Sequence, residues 1–300
     1  MANTQASKNY QPLLTVQDKR LNTATLAQYY LSICISDTSF KVSCIDPKTT
    51  KCLLLEVYSL AHECGHRRVQ AIEQLYQDHR LLAKGNWSAV TLCVGNQNYS
   101  LIPEQFFQEN KLADYLNFTC PIAPNVIKHF THSSLNLAVA FAVDPLLMHW
   151  LQKTYKQTKL QIVHQASSLI EGTLNYLRSS RLNLLPKVLV FTEANYLHII
   201  IIQKSDLLYY NRFEYTNSDE FLRYILTVMH TLKLDPNFHE VILGGHISKG
   251  SIAHLKARNY LRKLTFITPP PYLKFRNIFN KGVWTTHLDV LSTCLCYQTL

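Results

Sequence analysis

Apolar and polar residues alternate with a period of two at Leu31, Ile33 and Ile35 against Ser32, Cys34 and Ser36, and again at Phe40, Val42 and Cys44 against Lys41 and Ser43. Such alternation predicts two half-buried strands, joined by a tight turn at Asp37-Thr38-Ser39. A third strand is expected at Cys52 to Tyr58, after the Asp46-Pro47 turn, and a helix at Arg68 to Leu82. Val90 to Val94 reads as a buried strand, with Tyr99 to Ile102 as its hairpin mate across Gly95-Asn96. Beyond a loop punctuated by Pro121 and Pro124 comes a strand at Leu137 to Val143. Asp144 then caps a helix with Pro145 in its first turn, followed by a strand at Leu160 to Val163 and a helix at Ser167 to Leu182.

The second half repeats that order. Val188 to Phe191, Leu197 to Gln203 and Leu207 to Tyr215 predict a three-strand meander. Asn217 with Glu220 forms a capping-box pattern ahead of a helix striped by Phe221, Ile225, Val228, Met229 and Leu232. A strand at Val241 to Leu243 runs into Gly244-Gly245, and a helix at Ser251 to Leu264 and a strand at Thr265 to Thr268 follow. An amphipathic segment is expected near His287 to Leu295. The order β-β-β-α-β-α-β thus occurs twice, which predicts an α/β protein of two tandem ribonuclease-H-like domains with mixed sheets, the architecture of actin, heat-shock ATPases and sugar kinases. The expected bounds are a polar arm at 1–27 with a short helical piece at its end, a first domain at 28–184, and a second at 185–300 with a C-terminal extension.

Composition narrows the class without naming a chemistry. With 300 residues, 47% apolar and 17% charged, the chain can bury a sizeable core and is not a disordered segment. Eight cysteines after a polar start that lacks an apolar leader core point to reduced thiols in a cytoplasmic protein. The run Ile199–Ile202 falls far short of the ~20 residues of a membrane span. The formal charge of +10 would attract polyanions, but the charge is scattered. Only the stretch holding Lys256, Arg258, Arg262, Lys263, Lys274, Arg276 and Lys281, with Tyr260, Phe266, Tyr272, Phe275 and Phe279 among them, fits a nucleic-acid surface. A solvated basic face explains the same residues, and nucleic acid is not the expected partner.

Several stretches carry a family resemblance: Tyr30 to Ile45, Val90 to Val94 with Tyr99 to Phe106, Ala138 to Pro145, and Val241 to Ser248. Together they resemble an uncharacterised bacterial family, domain of unknown function 3822, to which an actin-like ATPase fold is assigned, and the resemblance extends from about residue 25 to residue 280. It speaks to fold, and the family lends no activity. In active members of the wider superfamily a nucleotide sits between the halves, and each half offers a strand-turn-strand loop whose acidic residue and glycines cradle phosphate. The first equivalent is Asp37, Thr38 and Ser39, with Ser where Gly is usual. The second is Thr192 to Tyr196, with Glu193 and Asn195 but no Gly. The Gly-rich turn that packs adenine and ribose has its counterpart in Gly244 and Gly245, which a tight strand-to-helix turn explains equally.

The most pointed decoy is His62-Glu63-Cys64-Gly65-His66, which satisfies the H-E-x-x-H zinc pattern. Its extension fails at Val69 and Ile72, Glu73 and His79 lie too near for a distant third ligand, and Arg67 and Arg68 would set two cations beside the metal. Glu104 is the one reachable acid further on. Cys294 and Cys296 have no second pair for a zinc ribbon. No metal site and no catalytic residue is assigned. The expectation is a pseudo-ATPase: a cytoplasmic binding or scaffold module without a resident cofactor, its cleft or a strand edge receiving a protein or peptide. In this it is similar to the actin-like components of pilus and secretion assemblies, by fold analogy alone. The alternative is a weak ATP-binding protein or ATPase holding Mg-ATP through Asp37, Thr38, Ser39, Glu193, Asn195, Gly244 and Gly245. A zinc metallopeptidase at His62, Glu63 and His66 is the remaining one.

Overall fold

The alternating runs become strands. In the computed structural model, which describes residues 10–61, 63–84, 86–117, 126–156, 158–178, 185–279 and 281–297, the chain opens with β1 (Leu14–Gln17), β2 (Tyr30–Ile35), β3 (Ser39–Asp46), β4 (Lys51–Ser59), α1 (Gly65–Asp78) and β5 (Ala89–Val94). Next come β6 (Tyr99–Pro103), α2 (Leu112–Asn117), β7 (Val126–His132), β8 (Leu137–Val143), α3 (Pro145–Thr154), β9 (Leu160–His164) and α4 (Gln165–Arg178). The second half holds β10 (Lys187–Glu193), β11 (Tyr196–Gln203), β12 (Asp206–Glu214), α5 (Ser218–Thr231), β13 (Val241–Gly245), α6 (Ile252–Tyr260) and β14 (Leu264–Phe266). It ends with α7 (Lys281–Thr286) and α8 (Leu288–Ser292).

Two sheets carry the architecture, ordered β1-β4-β3-β2-β5-β9 and β12-β11-β10-β13-β14. Without β1, each runs third-second-first-fourth-fifth. In each, the second strand is antiparallel to its neighbours and the fourth is parallel to the first. The ribonuclease-H-like unit is therefore present twice. The caps form as their residues dictate: the Asp144 carboxylate accepts from the N–H groups of Leu146 and Leu147, and the Asn217 side chain from those of Asp219 and Glu220. Glu220 reaches back one residue further than a capping box requires, to the Thr216 N–H.

Four elements, β1, β6, β7 and α8, depart from the sequence expectation. Residues 14–17, inside the expected polar arm, add β1 to the outer edge of β4. Tyr99–Pro103 is not the mate of β5, because β2 and β9 already occupy both edges of that strand. It pairs instead with β8, which also pairs with β7, and the three form a separate small sheet inserted between β5 and α3. The strand β7 escaped notice because Lys128, His129, Thr131 and His132 break its apolar pattern. Finally, α8 is not amphipathic: every residue from Leu288 to Ser292 is buried.

That last difference follows from the layering. α4 and α8 lie between the two large sheets and pack on each other, so one continuous apolar cluster runs from Ile33 and Phe141 through Leu169 and Leu291 to Phe191 and Ile200. The outer face of the second sheet packs separately against Phe221, Ile225 and Met229 of α5. On the first sheet, Ile35 faces Val69 and Ile72 of α1, while Cys34, Lys41 and Ser43 of the opposite face meet α8. Lys41 and Ser43, which alternate as if solvent-facing, are therefore buried. Among the described residues, no helix is long and apolar enough to cross a membrane.

The α4–α8 contact depends on Gly172, where an added Cβ would sit 2.1 Å from Ser292 Oγ and 2.7 Å from its Cβ. Substitution Gly172→Ala should force the two helices apart and destabilise the fold by about 1–3 kcal/mol. Urea unfolding followed by circular dichroism would register this, and an unchanged midpoint would contradict the packing.

Candidate functional site

The two strand-turn-strand bends singled out in the sequence point toward the same place. In the first, Ser36 and Ser39 close the β2–β3 turn, with the Ser36 N–H donating to the Ser39 carbonyl at 2.9 Å. In the second, Glu193 ends β10 and Ala194-Asn195 turn the chain into β11. Ala194 takes φ +50 there, a left-handed conformation that glycine adopts without strain and alanine does not. The hydroxyls of Ser36 and Ser39 both donate to Glu193 Oε1 at 3.0 Å, so the tips of the two hairpins are tied together.

Behind them lies an ion cluster. Lys41, two residues into the buried face of β3 from Ser39, donates from Nζ to Glu193 Oε1 at 2.6 Å and to Asp289 Oδ2 of α8 at 2.7 Å. Gln165, the first residue of α4, donates from Nε2 to Glu193 Oε2 at 2.5 Å and to Asp289 Oδ2 at 2.9 Å. The side chains of Lys41, Glu193 and Asp289 are at most 3% exposed. Gln165 Oε1 and Asp289 Oδ1 have no protein partner among the described residues. Burial alone would drive the Lys41 ammonium to neutrality, but the facing carboxylates of Asp289 and Glu193 outweigh it and hold its pKa above the ordinary lysine value. The converse applies to Glu193: burial would raise its pKa, and Lys41, with help from the Gln165 amide, brings it well below the usual carboxylate range.

Neutral imidazoles surround the cluster. Burial lowers His198 and His287 to about 3, and the nearby cations Arg212 and Lys41 add to the shift. His164 is held at about 3 by burial as well. His246, lowered by burial and by Lys41, uses Nδ1 to accept the Ala194 N–H at 3.3 Å. One backbone donor at the second bend, the Ala194 N–H, is thus already engaged, as is the Thr38 N–H at the first, which reaches Ser36 Oγ at 3.4 Å.

The other residues expected around a nucleotide are distributed differently. Asp37 turns away from the cluster and toward two arginines. Its Oδ1 lies 3.4 Å from Arg68 of α1 and its Oδ2 lies 3.3 Å from Arg212 of β12. Arg212 in turn lies 3.5 Å above the Tyr196 ring. Asn195 points outward and donates to Glu214 at 2.8 Å. Gly244 accepts from the Thr192 hydroxyl at 3.3 Å. Gly245 has φ +86, and a Cβ there would fall 2.0 Å from the Thr192 carbonyl oxygen. Contact between two strands therefore suffices to require that glycine. Ser39 and Glu193 are brought together, and Asp37 is held at the rim. Lys41, Gln165, Asp289 and Arg212 are the members that sequence reasoning missed. Their only signals were a lysine inside an apolar strand and an aspartate inside an apolar helix.

The zinc pattern does not sit on one helix. His62 lies outside the described residues, Glu63 precedes α1 and accepts from Tyr10 at 3.2 Å, and His66 is the second residue of α1, exposed. His79 uses Nδ1 to accept the Leu81 and Leu82 N–H groups, so its Nε2 donates to the buried Glu56 at 2.5 Å. Among the described residues no group of three or more His, Cys, Asp or Glu is placed to hold a metal ion. In the basic stretch, Lys256 pairs with Asp219 at 2.7 Å, Lys263 lies 4.5 Å above the Phe238 ring, and Phe279 is buried.

A repeated five-stranded unit, with a helix from each half packed between the sheets and paired hairpin tips at the centre, defines the actin-like ATPase fold. The chain matches the family described as Protein of unknown function (DUF3822) over residues 18–264, and it belongs to that family. It is similar to a Bacteroides thetaiotaomicron protein of actin-like ATPase fold and unknown function, with 17% identity and a TM-score of 0.78 over 92% of this chain and 99% of that one. It is also similar to a chain of the PilM-PilN type IV pilus biogenesis complex, with 11% identity and a TM-score of 0.60 over 87% of this chain and 97% of that one. Among curated proteins, none matches the chain by sequence.

Proposed function

We propose that the protein is a binding module on an actin-like ATPase scaffold, in which an internal ion cluster stands where nucleotide chemistry would need open space. The observation that carries this reading is the position of Lys41. Its ammonium lies between Glu193 and Asp289, within 2.7 Å of each, so the place where these two carboxylates converge already holds a cation. A triphosphate would have to displace that ammonium or accept both carboxylates as neighbours, and like charges in a low-dielectric site repel strongly. One N–H of each bend, that of Thr38 and that of Ala194, which would otherwise be free to cradle a phosphate oxygen, is bonded within the protein. Likeness to a chain that assembles with a protein partner in a pilus complex supports the same direction.

The test is a thermal melt of the full chain with and without millimolar Mg-ATP, alongside a phosphate-release assay. No shift and no release are expected. A ligand present at a hundred times its Kd would add about 2.7 kcal/mol, so a concentration-dependent rise in melting temperature would refute the proposal in favour of an ATP-binding protein.

A further inference from the structure

We infer that the cleft between α3, β7 and β9 is a docking site for an acidic, extended peptide segment of a partner protein. The inference rests on the binding-module reading and names where and what such a module would bind. β7 is an outer strand of the small inserted sheet and β9 an outer strand of the six-stranded sheet, so among the described residues each leaves one edge without a ladder partner. The two edges flank a cleft of about 550 Å³.

The chemistry of the lining is one-sided. Lys128, Lys156 and Lys159 border the cleft, and among the described residues no aspartate or glutamate does. Lys156 and Lys159 are exposed and Lys128 half-buried. Among the described residues none of the three makes an ion pair. Lys159 instead lies 5.1 Å above the Tyr297 ring. Met148, Leu160 and Ile162 supply apolar surface between these cations. Three uncompensated ammonium groups around an apolar floor match a segment with two or more carboxylates flanking an aliphatic side chain. An unpaired strand edge bordering the cleft favours an extended backbone over a helix. A nucleic acid fits less well, because of the two rings in the lining Tyr155 is buried and His129 is half-buried against Phe107, so neither offers a fully open face for a base.

The experiment is selection of a random peptide library displayed on phage against the full chain, followed by titration of the selected peptides, with a single-stranded oligothymidylate titrated in parallel. Selected peptides should be enriched in Asp and Glu around a Leu or Ile. The double variant Lys128→Glu/Lys156→Glu should lose at least about tenfold in affinity for them while keeping its circular dichroism and melting temperature, since neither side chain is part of the core. Binding should also weaken as salt is raised. Peptides without acidic enrichment, acidic peptides indifferent to the double variant, an absence of binders, or lysine-dependent binding of the oligothymidylate without peptide binding would each overturn the assignment. Those outcomes are distinct from failure of the binding-module reading, which the Mg-ATP melt reports independently.

Discussion

Replacing Lys41 with methionine is expected to destabilise the protein by about 3–5 kcal/mol, because removal of one partner leaves buried charge without compensation. The geometry makes the loss severe. Glu193 and Asp289 would face each other across the space the ammonium occupied, with Gln165 as the remaining donor common to both and the Ser36 and Ser39 hydroxyls attached to Glu193. Removing the charges together should behave differently. The combination Lys41→Met/Glu193→Gln/Asp289→Asn takes away the repulsion along with the attraction, and replacement of a whole buried ionic group is often neutral or stabilising. Urea unfolding of both variants is the measurement. If the single substitution proves milder than the triple one, the cluster is not the buried and mutually compensated unit described above. Should the single variant fail to fold, the triple variant still yields a usable midpoint for the comparison.

Stability should also fall steeply as the solution is acidified from pH 7 toward pH 4. His164, His198 and His287 are held near 3 in the folded chain against about 6.5 when unfolded. A group whose folded pKa is depressed stabilises the fold above its unfolded pKa and loses that contribution as pH falls toward the folded one. Between 6.5 and 3, the unfolded chain therefore binds protons at these imidazoles that the folded chain refuses. Each adds a slope of up to about 1.4 kcal/mol per pH unit, and the three together approach 4 kcal/mol per pH unit. Glu193, whose folded pKa is also depressed, adds its own loss below the unfolded carboxylate range. Lys41 shifts upward, stays protonated throughout this interval, and contributes nothing to the slope. With ordinary net stabilities of about 5–15 kcal/mol, unfolding should set in near pH 5. Melting curves taken in steps from pH 7 to pH 4 would test it, and a flat melting temperature between pH 7 and pH 5 would show that the imidazoles are not buried in neutral form.

The fold was legible because its evidence is local. Alternation at Leu31–Ile35 and Phe40–Cys44, the caps at Asp144 and Asn217, and the repeated element order are all written within short windows of sequence. The site was only partly legible, for the same reason. Ser39 and Glu193 sit on turns, which announce themselves through neighbouring residues. Lys41 meets Glu193 across 152 residues and Asp289 across 248, and Gln165 meets Asp289 across 124. A strand that alternates lysine and serine with apolar residues looks wet on one side. Only the arrival of α4 and α8 between the sheets makes that side dry. The small inserted sheet was missed by a related route: Tyr99–Pro103 looks like a hairpin mate for β5 until the far strand β9 is known to occupy that edge.

The ion cluster also bears on how the two halves can move. Lys41 rides on the first half, whereas Glu193 and Asp289 ride on the second, and the hairpin tips are bonded across the same boundary by Ser36 and Ser39. Swinging one lobe away from the other would pull an ammonium off two carboxylates and slide α8 along α4 at a glycine that tolerates no extra atom. The joint is riveted at its pivot, so hinge closure of the kind that lets two-lobed proteins clamp a ligand is not a stroke this chain can readily make. Binding should leave the angle between its lobes nearly as it found it.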